Sequence, residues 1–168
     1  MRTEDSSGDA RGSGVVLRDL TGDEIAAVRA WRYDGPWSVY DSRGDEDFTA
    51  ENGYRAIEER RTGHLLGYVC TGVEARVQGM TELPGVLDVG VGLDPALVGK
   101  GRGRSVLLPV LELLAHAVRP EGFRAVVQSW NTRSIRLCDQ LGFEKVGAHV
   151  AVQTGMPVEY VVLRRPAH

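Results

Sequence analysis

Three glycines alternate with two cations in Gly99-Lys100-Gly101-Arg102-Gly103, and Arg104 follows before a long apolar stretch begins. Glycine lets the backbone approach a ligand closely, and the first turn of a helix offers unpaired N–H groups and a partial positive charge. The chemistry such a run can do is to hold an anion, above all a pyrophosphate. A glycine-rich surface turn is the plainer alternative at this point. Two familiar phosphate loops do not fit. A Walker A loop with its lysine at Lys100 needs glycine where Asp94 stands and Ser or Thr where Gly101 stands. A dinucleotide fingerprint needs GxGxxG directly after the first strand of a βαβ unit, and here Arg104 falls in place of the last glycine. Metal chemistry has no support from spacing. Cys70 and Cys138 form no CxxC pair, and the four histidines form no HExxH.

The elements that must position this loop are legible from pattern. In Val86–Leu93 (VLDVGVGL), Val89, Val91 and Leu93 alternate with Asp88, Gly90 and Gly92, as a strand requires. Pro95 ends that strand, and the loop opens a helix to about Val118 that is apolar nearly all round, with Pro109 expected to kink it. Phe123–Trp130 reads as the next strand, and a helix from Thr132 to Leu141 stops at Gly142. Upstream, Val15–Leu20 reads as a strand, and Thr21-Gly22-Asp23-Glu24 is a capping box for a helix reaching about Tyr33. Glu51–Arg60 and His64–Val73 read as a hairpin, as do Phe143–Val152 and Pro157–Leu163 around Thr154-Gly155. Residues 1–13 are polar and small and read as a disordered tail, leaving 14–168 as a single domain. The order of strands and helices implies a mixed α/β sheet.

Taken together, the loop Val98-Gly99-Lys100-Gly101-Arg102-Gly103, the downstream Asn131-x-x-Ser134-x-x-x-Cys138, and Gly142-Phe143 resemble the motifs of the GNAT superfamily of acetyl-CoA-dependent N-acetyltransferases. Val98 departs from the family's Gln or Arg, and Cys138 stands where many relatives carry tyrosine. The resemblance implies an α/β (α+β) fold: a mixed, mostly antiparallel sheet of six to seven strands, splayed at its middle and flanked by about four helices. It implies acetyl transfer from acetyl-CoA, as cosubstrate, to an amine by direct attack in a ternary complex. Backbone amides near Val91 and Leu93 would hold the thioester oxygen. Val98, Gly99, Lys100, Gly101, Arg102, Gly103 and Arg104 would hold the pyrophosphate, and Asn131 and Ser134 the pantetheine arm, although Asn131 equally suits the cap of its own helix. Asp88 is the leading candidate base, ahead of Glu74 and Glu82. Cys138 could protonate the leaving thiolate, with packing on the face of Ile135 and Leu141 as the alternative and Tyr160 a substitute acid. Trp31, Tyr33, Trp37 and Tyr40 could line the acceptor pocket, with Asp34 or Asp41 attracting a cationic amine, or simply pack their loop onto the domain.

Composition narrows the partners. The chain has 168 residues, 42% of them hydrophobic and 26% charged, enough apolar surface to bury a core without a disulfide or metal staple. A net charge of -3 argues against nucleic acid or an anionic membrane as the main partner. Two lone thiols and an N-terminus without an apolar run suit a cytoplasmic protein. The expected acceptor is a small-molecule amine or a protein N-terminus, and a homodimer is compatible with the sequence. A non-catalytic acyl-CoA-binding or sensor module, and a generic nucleotide-phosphate binder, are the competing readings.

Overall fold

The computed structural model describes residues 14–168, so the expected tail at 1–13 lies outside the described residues. Strands β1 (Val15–Arg18), β2 (Tyr54–Glu59), β3 (Leu65–Thr71), β4 (Val86–Leu93), β5 (Gly122–Gln128), β6 (Glu144–Gln153) and β7 (Met156–Pro166) form a seven-stranded sheet in the order β1-β2-β3-β4-β5-β7-β6. Every neighbouring pair is antiparallel except β4 and β5, which run parallel. The α-helices among the described residues are α1 (Gly22–Ala30), α2 (Gly103–Val118) and α3 (Thr132–Gln140), with short 3-10 turns at Gly35–Tyr40, Gly72–Ala75 and Pro95–Leu97. This is the mixed, mostly antiparallel α/β architecture expected from the sequence.

Each helix starts and stops for a local reason. At α1 the Glu24 amide donates to the Thr21 hydroxyl at 3.2 Å, and the Thr21 amide donates to the Glu24 carboxylate at 2.9 Å, so the capping box is closed. The helix ends at Ala30, three residues before the expected Tyr33, because Trp31 turns to extended backbone and stacks on Tyr68 of β3. At the end of α3 the amides of Gly142 and Phe143 donate to the carbonyls of Asp139 and Cys138. Gly142 sits at φ +86°, completing a Schellman stop. Helix α2 continues through Pro109.

Two cores lie on opposite faces of the sheet, as strand alternation dictates. On one face α2 sets Val106, Val110, Leu111 and Leu114 against Ile57, Val69, Val89, Phe123 and Leu163. Burying each Val or Leu contributes about 1.5–3 kcal/mol before entropy is counted. The other edge of α2, with Ser105, Glu112, His116 and Val118, is exposed, so the helix is amphipathic rather than apolar all round. On the opposite face Val28 of α1 packs with Phe48, Tyr54 and Cys70. No helix of the described residues is long and apolar enough to cross a membrane.

Candidate functional site

The sheet opens at its centre. β4 and β5 are paired only at Val86, Leu87 and Asp88 with Gly122, Phe123 and Arg124. Beyond that point Val89–Leu93 stays with β3, and Ala125–Gln128 stays with β7. The two parallel strands therefore diverge toward their C-terminal ends. The Asp94 amide donates to Leu66 of β3 at 2.9 Å. Alternation then turns the amides of Gly92 and Gly90 toward β3 and those of Val91 and Leu93 toward the gap. Val91 is 46% exposed in mid-strand because its neighbour on that side has moved away. A cavity of about 670 Å³ fills the gap, walled by β4, β5, α2, α3 and the loop between β4 and α2.

That loop leaves the cavity edge as a row of donors. Asp94 turns its carboxylate onto the Ala96 amide at 2.9 Å and so caps the Pro95–Leu97 turn. Gly99 and Gly101 then take φ of +77° and +71°, conformations that side chains rarely tolerate. The first amide of α2 to find a backbone acceptor is that of Val106, on Arg102 at 3.2 Å. Among the described residues, the amides from Gly99 to Ser105 have no acceptor in hydrogen-bond geometry. Arg102, Arg104, Arg133 and Arg136 reach the same cavity and supply positive charge around those amides.

The aromatic segment straps the mouth of the gap to both diverging arms. Tyr33 donates its hydroxyl to the Leu93 carbonyl on β4 at 2.6 Å. On the other arm, Asn131 Oδ1 accepts from Trp37 Nε1 at 3.1 Å, and Asn131 Nδ2 donates to the Tyr40 hydroxyl at 3.1 Å. The same Asn131 accepts from the Ser134 amide at 3.1 Å and donates to the Ser134 hydroxyl at 2.9 Å. Buried at the N-terminus of α3, it is both a helix cap and the anchor of the strap. Trp37 packs edge-on to Trp130, Tyr40 stacks on Trp130, and Arg133 lies over the Trp37 ring at 4.1 Å.

Residues 15–144 match the family model of the acetyltransferase (GNAT) domain, the larger part of the chain. The chain belongs to the GNAT acetyltransferase family. No curated protein matches it in sequence. Solved structures similar in fold include a GNAT-family acetyltransferase from Bacillus anthracis, 14% identical, with 92% of this chain and 95% of that one covered at a TM-score of 0.72. A chimera built on the spermidine N-acetyltransferase of Vibrio cholerae is 15% identical over 92% and 96% of the two chains, with a TM-score of 0.69. An aminoglycoside acetyltransferase in complex with coenzyme A is 21% identical over 90% and 94%, with a TM-score of 0.66.

Within this GNAT fold, most of the residues singled out from the sequence meet at the cavity. Val91, Leu93, Val98, Gly99, Gly101, Arg102, Gly103, Arg104, Asn131, Ser134, Cys138, Tyr33, Trp37 and Tyr40 all line it. Three do not. Lys100 is exposed on the outside of the loop. Trp31 belongs to the second core on Tyr68 rather than to the cavity wall. Asp88 is the main correction. The residue is 2% exposed, and its carboxylate accepts from Arg124 Nε at 2.5 Å and Arg76 Nε at 2.8 Å, with Arg124 Nη2 at 3.1 Å. A carboxylate held by two guanidinium groups below the fork does not face the gap, so Asp88 belongs to an ion-pair cluster rather than to the cavity wall. Glu82 is exposed on the loop before β4, and Glu74 meets the Tyr54 hydroxyl at 3.4 Å, away from the cavity. Asp41 likewise accepts from the Tyr33 amide at 2.8 Å.

Sequence reading missed Tyr68 and the apolar wall of Ala125, Val126 and Val127. Only strand register shows that these side chains stand beside the gap. Arg133 and Arg136 carried a readable signal, since residues three apart share a helix face and both fall in the first turns of the helix that Asn131 caps.

Cys138 is a cavity-wall thiol, and burial pushes its pKa up to about 11. Proton transfer from such a thiol to a thiolate of ordinary acidity (~8.5) is uphill by roughly 3 kcal/mol. Packing is therefore the better account, since Cys138 joins Ile135 and Leu137 against the main core. Cys138→Ala should cost about 1 kcal/mol of stability and leave kcat nearly unchanged, read from thermal melts and initial rates on the same preparation. A large fall in kcat at constant thermal midpoint would return the thiol to the mechanism. Tyr160 is 4% exposed, and its hydroxyl accepts from Gln153 Nε2.

Proposed function

We propose that the protein transfers an acetyl group from acetyl-CoA to a primary amine by direct attack, with residues 14–168 acting as one catalytic domain. The observation that carries this reading is the run of acceptor-free amides from Gly99 to Ser105 at the edge of the β4/β5 gap. The pyrophosphate rests on those amides and on the arginines around them, where a helix N-terminus favours negative charge. The pantetheine arm lies between the diverging strands, and the amides of Val91 and Leu93 face the thioester carbonyl. As the amine nitrogen bonds to the carbonyl carbon, those donors strengthen their hold on the developing oxyanion. The C–S bond then breaks, coenzyme A leaves as thiolate, and the nitrogen releases its surplus proton to water. No buried carboxylate has to accept that proton. The ring-lined mouth disfavours the charged form of the amine and lowers its pKa by desolvation.

The test pairs calorimetry of acetyl-CoA binding with release of free coenzyme A thiol in the presence of primary amines. Binding together with amine-dependent thiol release and an acetylated amine by mass is the expected result. Binding without turnover on any amine or peptide N-terminus would replace the enzyme reading by a non-catalytic acyl-CoA-binding module.

A further inference from the structure

The acceptor half of the cavity is the part bordered by the strap, and its side chains say what can sit there. Tyr33, Trp37 and Tyr40 close one side, with Tyr68 behind them. No Asp or Glu lines the cavity anywhere among the described residues, while four arginines do. Of the carboxylates nearby in the chain, Asp41 accepts from the Tyr33 amide and Asp94 caps the Ala96 amide, while Asp34, beside Tyr33, is exposed to solvent and is not part of the cavity wall. Asp88 lies in its own ion-pair cluster with Arg76 and Arg124.

The ring faces do not compensate for the missing carboxylates. A cation can bind over an indole, but the Trp37 face already carries the Arg133 guanidinium at 4.1 Å. A second ammonium brought there meets a like charge and loses its water without gaining a counter-ion. An apolar or aromatic body, by contrast, gains ring contact and gives up little hydration. The strap also limits size, because it is tied to Leu93 on one arm and to Asn131 on the other.

We infer that the acceptor is a small monoamine with an aromatic or apolar body, rather than a polyamine or an extended peptide. This rests on the amine-acetylation reading and names the substrate class of the same site. It also separates this protein from the spermidine and aminoglycoside acetyltransferases that share its fold.

The experiment compares phenylethylamine, spermidine and a neutral tripeptide with a free N-terminus, in turnover and in binding to coenzyme A-loaded protein. Phenylethylamine should exceed both others by about tenfold or more in kcat/KM, and by a similar factor in affinity. In Trp37→Ala that preference should shrink to within about threefold, while Trp37→Phe retains it, both read as ratios between amines at saturating acetyl-CoA so that a change in coenzyme affinity does not enter the comparison. Selective binding of phenylethylamine without acetylation would keep the substrate class and defeat the transferase reading. Spermidine or the tripeptide equal to or better than phenylethylamine, or no binding of any of the three to the loaded protein, overturns the inference.

Discussion

Gly101→Val should abolish measurable acetyl-CoA binding while the protein remains folded. Gly101 sits at φ +71° with nothing within 4 Å of the position a Cβ would take, so the folded chain has room for the side chain. On the proposed reading, the space it fills is where the pyrophosphate lies. Valine also resists left-handed backbone at a cost of about 1–2 kcal/mol, which lowers the thermal midpoint by roughly 2–8 °C in a domain of this length. The loop relieves that strain by rotating peptides, and the amides cease to converge. Losing two hydrogen bonds to a charged phosphate at about 1.5–3 kcal/mol each predicts a fall in affinity of a hundredfold or more. Gly155→Val is the matched control, at φ +78° in open space on the β6–β7 turn. It should show a similar drop in midpoint and an unaltered Kd. Calorimetry giving the same Kd for Gly101→Val and the parent protein would move the phosphate site elsewhere.

Asp88→Asn should cost stability heavily and leave the shape of the pH–rate profile as it was. The carboxylate neutralises Arg124, itself only 5% exposed, and Arg76, and Arg124 in turn donates to the Thr81 carbonyl at 2.7 Å. Removing the one anion leaves buried positive charge uncompensated, a loss of about 3–5 kcal/mol. In a domain of this size that lowers the midpoint by roughly 6–20 °C. Rates taken well below the new midpoint should follow the parent's pH dependence. A base would behave otherwise: its loss would depress kcat/KM most at low pH, where the amine is protonated, without disturbing the melt. An unshifted midpoint together with that pH-selective loss would reinstate Asp88 as the base.

Asp88 also marks where sequence reading stops. The alternation in Val86–Leu93 located the strand and correctly put Asp88 on the glycine face. It could not reveal that this face, at this residue, meets Arg124, 36 positions further on. Local signals survived well: the capping box at Thr21, the Gly142 stop and the Thr154-Gly155 turn are all as read. They depend on residues within one turn of each other, and tertiary contacts had little chance to override them. The GKGRG loop was legible for the same reason, since glycine conformation and helix-start chemistry are local. Trp31 and Trp37 show the reverse case. Six residues apart in the same ring-rich stretch, they end in different places, one on Tyr68 in the second core and one on Asn131. Nothing in their spacing separates them, because the choice is made by strands and helices that come later in the chain.

The three-residue ladder between β4 and β5 also bears on how the chain folds. Strands β1 to β4 come first in the chain and lie side by side in chain order, while β5, β7 and β6 come from its last third. Each group can close loops of modest length on its own, and the entropy of closure rises with the separation of the residues joined. The ladder must wait for the whole α2 crossover to be in place, and it contributes little backbone pairing when it forms. Kinetically, this seam is then expected to be where two separately nucleated halves come together last and separate first, which pulse-labelled hydrogen exchange at Val86–Asp88 would check. The ligand gap lies along that same boundary.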